Sequence, residues 1–285
     1  MRAIVHGMRV DRLLSGVGAV VAGAALVPYL GYRKWSWETE RRVQALHELA
    51  DRPQRRERTP TDLPEPVADY FDTVLEDERP IGRVRLSQVG KLRTGDASSP
   101  WRPFTATHHV TTNPPGFLWD ARVEFVPFVP VRVRDTYCGG DGAGEVALFG
   151  LLSLGASEAS PELNEAELMR YLAEAVWYPT ALRPETGVEW TAVDAETAEA
   201  TLEHGGASAT LTFTFEDGLV RRVHADARYR SVDDGFEPTP WTGRWDDYEL
   251  RHGVRVPTTG DVIWHLDDGD LHAWRGRLRH VEYHR

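Results

Sequence analysis

From residue 83 onward apolar and polar positions alternate along RVRLSQVGKLR, PFTATHHVTT, GFLWDARVEFVP and VPVRVRDTYC, the period of strands with one buried face. The pattern continues in GEVALFGLLSL, VEWTAVD, TAEATLEH, SATLTFTFE and LVRRVHADARYR, and ends in RWDDYELRHG, DVIWHLDD and LHAWRGRLRHVEYH. Turns are expected at Asp217-Gly218 and His252-Gly253, and a Pro-rich bend at Pro238 and Pro240. The tally is about eleven strands. Short connections favour antiparallel neighbours, and the absence of alternating β and α units disfavours Rossmann and TIM architectures. The expected fold class is mainly β (α+β): a large curved antiparallel sheet or half-barrel wrapping a central helix.

Three segments carry the helical period instead. Residues 162–177 form the central helix, capped near Ser160 with Pro161 in its first turn and ended by Pro179. PEPVADYFDTVLEDE places Val67, Tyr70, Phe71, Val74 and Leu75 on one face. Residues 13–32 are 20 positions without a formal charge, long enough to span a bilayer as a helix, with Tyr29, Tyr32, Trp35 and Trp37 at an interfacial belt. A cleavable signal peptide and a buried soluble helix are the alternatives. The expected organisation is a tail (1–12), a transmembrane helix (13–32), a helical stalk and Arg-rich linker (33–63), and a β-rich domain (64–285). Basic residues flank both ends of the span, so the side of the membrane holding the domain is left open.

Composition narrows the partners. The chain is 41% apolar and 10% aromatic, which supports a sizeable core, and its ten Trp are many for 285 residues. A net charge of −11 argues against nucleic-acid binding. Lys34 and Lys91 are its only lysines, an acidic, Arg-for-Lys balance that fits a high-GC or salt-adapted genome. Cys138 is the sole cysteine, which excludes an intramolecular disulfide and a Cys-based metal site.

No phosphate-binding loop, nucleophile elbow or zincin motif is present. The candidates are weaker. Arg170 and Glu174 are four apart on the central helix and can pair, while Glu174 in a concave sheet suits a raised-pKa acid or base. Trp177 and Tyr178 end that helix with bulky rings. Asp120, after PPGFLW, is expected as a buried acid near Arg228 or Arg230. Trp241 lies in the Pro- and Gly-rich part of TPWTGRWDDY, read as a loop whose ring closes a ligand groove, with Trp245 at the start of the next strand run; core or interface packing is the stronger alternative for these rings. His108 and His109, adjacent on a strand, face opposite ways and cannot share a metal. His265, His272, His280 and His284 crowd the last strands near Asp267, Asp268 and Asp270, but match no metal-binding spacing. The candidate ligand-binding set is therefore Asp120, Arg170, Glu174, Trp177, Tyr178, Trp241 and Trp245, with no catalytic residue, metal or cofactor assigned.

PPGFLWDAR, RYLAEAVWYPTAL, the strand bearing Trp190 and TPWTGRWDDY together resemble a prokaryotic family, bacterial and haloarchaeal, defined as a domain of unknown function. The resemblance runs from about residue 63 to the C-terminus, and members share an anchor before a Trp35-x-x-Glu38-Thr39 stalk. It implies no activity. The strand-rich pattern is similar to LolA/LolB-like lipoprotein carriers, whose half-barrels bind acyl chains, although no lipobox cysteine is present. These features lead to a membrane-anchored, single-pass protein binding an apolar or lipid-like ligand, more in keeping with a binding module than an enzyme. A hydrolase using Glu174 and Asp120, and an envelope scaffold without a ligand, are the alternatives.

Overall fold

The computed structural model describes residues 7–51, 62–126, 129–232 and 235–285, without the side chains of 7–25, 27 and 126. Thirteen strands form one antiparallel sheet. The first arm comprises β1 (Arg83–Leu92), β2 (Arg102–Thr112), β3 (Pro115–Val126), β4 (Val129–Cys138), β5 (Asp141–Leu148) and β6 (Leu152–Ser157). The second comprises β7 (Val188–Ala192), β8 (Thr197–His204), β9 (Ala207–Glu216), β10 (Leu219–Val232), β11 (Gly235–Arg251), β12 (Val254–Leu266) and β13 (Gly269–His284). Each arm is a meander, and β13 pairs with β1 to join them, leaving β6 and β7 as the edges.

Turn chemistry accounts for one of the added strands. GEVALFGLLSL is two strands, not one, because Phe149 (φ 54°) and Gly150 (φ 73°) reverse the chain in a left-handed pair. Asp217-Gly218 and His252-Gly253 make the same reversal at the expected places. The expected bend at Pro238 and Pro240 is strand instead. Pairing of β11 with β12 begins only at Trp241, so both prolines lie where one edge of β11 needs no N–H donor.

Helix α2 (Glu65–Val74) buries Pro66, Val67, Tyr70, Phe71 and Val74, and packs on β8, β10 and β12 at one end of the curled sheet. Helix α3 (Pro161–Glu174) crosses between the arms. Ser160 caps it, its Oγ accepting from Leu163 N at 3.2 Å, and the last turn tightens into a 3-10 segment at Ala175–Trp177. It touches β3, β4 and β5 of one arm and β8 to β11 of the other, so it lies inside the curl. The two arms also meet each other directly. Tyr137 Oη is 2.9 Å from His204 Nδ1, and the Gly139-Gly140 turn abuts Gly205.

Helix α1 (Gly7–Ala50) runs through residues 33–50, the helical part of the segment expected as stalk and linker (33–63). Trp35 and Leu46 are buried against the outer face of the sheet. Arg134, fully buried on β4, donates to Trp35 O at 3.1 Å and Thr39 Oγ1 at 2.9 Å, and its guanidinium stacks 4.0 Å from the Trp35 ring centroid. Glu145 pairs with Arg134 at 2.9 Å and with Arg42. Polar bonds therefore clamp this part of the helix to the sheet.

The expected membrane span lies within α1, with most of its side chains outside the described residues. Among the described residues no helix is long and apolar enough to cross a membrane, so the structure lends the span no support. The linker at 52–61 also lies outside the described residues.

Candidate functional site

Between α3 and the inner face of the sheet is a cavity of about 370 Å³. Val123, Val131, Val133, Val146 and Val262 supply apolar wall, and Trp119, Trp177, Trp241, Trp245, Trp264 and Trp274 supply most of the rest. Alternation along the strands aims these residues inward, except Trp177, which reaches in from the 3-10 segment after α3. Room for the indoles comes from a row of glycines. Gly90, Gly276 and Gly260 are cross-strand partners, and Gly260 in turn opposes Trp245. A Cβ on Gly260 would meet the Trp245 ring at 2.7 Å, and one on Gly276 would overlap the Trp274 ring. Trp177 packs edge-on against Trp245 at 4.8 Å and donates its N–H to Pro257 O at 3.0 Å.

The cavity opens at the end away from α2. Leu92, Thr94, Phe125, Val131 and Ala273, all at strand ends on that side, line it. The Phe149-Gly150 turn belongs to the same end, since Val131 pairs with Leu148, and there Gly31 of α1 makes backbone contact with it. Leu152 and Leu154 of β6, near this end, are 63% and 59% exposed.

A charged cluster lies at the cavity floor. Arg170 donates to Glu174 Oε1 and Asp135 Oδ2, both at 2.9 Å, with Glu167 3.9 Å away. Burial works against the Arg170 charge, but Glu174, Asp135 and Glu167 outweigh it and keep the guanidinium protonated. Burial pushes the carboxyl of Glu174 up, and that of Glu167 up to about 7, each only partly countered by Arg170. His108, fully buried with Nδ1 3.4 Å from Glu174 Oε2, is driven towards its neutral form by burial and by the Arg170 charge. Trp119 donates to Gln88 Oε1 at 2.9 Å.

Of the residues singled out in the sequence, Arg170, Glu174, Trp177, Trp241 and Trp245 line this one cavity. Trp241 and Trp245 do so from β11, each only 3% exposed; Trp241 was expected in a loop, Trp245 in a strand. Tyr178 stands behind them, fully buried, donating its hydroxyl to Tyr171 O at 2.8 Å. Asp120 is elsewhere. Its neighbour Trp119 points inward, so Asp120 points outward, where it accepts from Trp35 Nε1 at 2.7 Å and Thr39 Oγ1 at 3.4 Å. Burial raises its carboxyl, while Trp35, Arg132 and Arg134 pull the other way; Arg228 and Arg230 take no part. Gln88, Asp135, Arg228, Trp264 and Trp274 complete the lining without having been singled out. Strand alternation could have placed each on a face, but which faces meet depends on register and curl.

The histidines of the last strands pair singly with acids, His265 with Asp270 at 2.7 Å and His272 with Asp261 at 2.8 Å. Among the described residues no group of three or more His, Cys, Asp or Glu could hold a metal.

Solved structures that overlap with the chain include the following two. The LolA superfamily protein NE2245 from Nitrosomonas europaea is 11% identical, with 79% of this chain and 95% of that one covered at a TM-score of 0.34. The beta-barrel-like protein of domain of unknown function DUF1849 from Brucella abortus is 12% identical, covering 73% and 100% at a TM-score of 0.22. Neither enters the reading of the site. No curated protein matches the chain in sequence. The family of unknown function DUF6920 matches residues 61–283, from just before α2 almost to the end of β13, and the chain belongs to that family.

Proposed function

We propose that the protein is a binding module that takes an apolar or amphiphilic, lipid-like ligand into the cavity between α3 and the sheet. The observation that carries this reading is the wall itself: valine and tryptophan around about 370 Å³, with polar groups at the floor and, as Arg93 and Thr94, at the open end, a composition and size typical of small-molecule sites. We further propose the domain order drawn from the sequence, with residues 13–32 as a membrane tether. The chain before Gly31 leaves the domain at the end where the cavity opens, so a tether there points the opening at the bilayer. The hydrolytic alternative needs Asp120 and Glu174 in one cleft, and Asp120 is bonded to α1 on the other face.

Native mass spectrometry and organic extraction of the purified protein test the reading, with Val133→Trp as the blocked control. The expected result is a co-purifying apolar molecule in the wild type and its loss in a Val133→Trp variant that still folds. A wild type carrying no such molecule and binding no added fatty acid or alcohol would refute it.

A further inference from the structure

The polar floor of the cavity is unevenly matched. Arg170 is fully engaged by Asp135 and Glu174. Arg228, on β10, is not: Nε donates to Ala166 O at 3.2 Å, and the guanidinium lies 5.1 Å and 5.3 Å from the ring centroids of Trp241 and Trp264. No acidic side chain among the described residues comes within salt-bridge distance of it. Around the same cavity, Gln88 Nε2, Trp241 Nε1 and Trp245 Nε1 are buried donors without acceptors, against one spare buried acceptor in the lining, Glu174 Oε2. A guanidinium held between indoles in an apolar enclosure is poorly hydrated and binds planar or tetrahedral oxyanions strongly.

Resting on the lipid-like reading above, we propose that the ligand is an amphiphile with a single anionic head, a carboxylate or a phosphate monoester, which Arg228 binds while the tail runs along the Trp- and Val-lined wall. Glu167 is the largest favourable counter-charge to Arg228 but acts across space, outside ion-pair contact, so the guanidinium keeps N–H groups without an acidic partner. An anionic head supplies that partner, and the neighbouring donors suit its remaining oxygens.

Titration calorimetry of the full chain with dodecanoate, dodecyl phosphate, dodecanol, acetate and inorganic phosphate tests this. The two anionic amphiphiles should bind about tenfold or more tighter than dodecanol, with no binding of acetate or inorganic phosphate. Arg228→Gln should abolish the preference, so that within that variant the anionic amphiphiles bind no tighter than dodecanol, and Arg228→Lys should retain part of it. The head-group series in the wild type stands alone if Arg228→Gln does not fold. Equal affinity for dodecanol and dodecanoate would overturn the anionic head and leave the lipid-like reading intact. A preference surviving Arg228→Gln would overturn the role of Arg228. Binding of inorganic phosphate without a tail would overturn the amphiphile, and failure of all three tails to bind would overturn both readings.

Discussion

Replacing Trp35 by Phe tests whether the helix after the expected span is clamped to the sheet. The substitution keeps an aromatic ring against Arg134 but removes the N–H that Asp120 Oδ1 accepts at 2.7 Å. Thr39, the other donor to this carboxylate, stands at 3.4 Å and cannot replace it. A hydrogen bond to a charged group contributes about 1.5–3 kcal/mol, and trimming a buried indole to a phenyl ring adds about 1 kcal/mol. The expected loss is therefore about 2–4 kcal/mol, read from urea unfolding followed by far-ultraviolet circular dichroism. An Asp120→Ala background isolates the bond, because the indole there has no carboxylate to lose. In that background Trp35→Phe should cost about 1.5–3 kcal/mol less. A cost below about 0.5 kcal/mol in the wild type, or equal costs in both backgrounds, would mean that residues 33–50 are a free stalk and that their contacts hold nothing in place.

Two further outcomes follow from the core. The Glu167 carboxyl, pushed up to about 7, binds its proton more tightly folded than unfolded, so its contribution is complete below the ordinary carboxylate range and is lost as pH rises through about 7. The loss is at most about 3 kcal/mol, and Glu167→Gln should flatten the stability profile between about pH 4.5 and 7; an unchanged slope would contradict the assignment. At Gly140, φ is 103° and a Cβ would meet Gly205 Cα at 2.7 Å, so Gly140→Ala should cost about 2 kcal/mol or more in the same unfolding assay. A neutral result would show that the arms do not meet there.

Local rules account for much of what was legible in the sequence. Period-2 alternation found the strands, and Ser160 with Pro161 found the start of α3, because a helix N-terminus is satisfied by its own neighbours. Spacing alone placed Arg170 beside Glu174, since residues four apart share a helical face. The same locality explains the misses. Whether Pro238 and Pro240 break a strand depends on what lies along their N–H edge, and that is a property of β12. Asp120 was placed in the ligand site because nothing near it in sequence indicates that α1 covers its face.

By itself, then, the sequence determined the elements, their antiparallel order and the enrichment in tryptophan, all of which follow from interactions between near neighbours. The tertiary structure alone decided that α1 is clamped outside and α3 lies inside the curl, and that Trp119 and Asp120, adjacent in the chain, serve different faces. It also decided that Arg228 meets Trp241 and Trp264 with no acid beside it. Those outcomes rest on sheet curvature and on register between distant strands, which are set by how both arms close around one helix and not by any local run of residues.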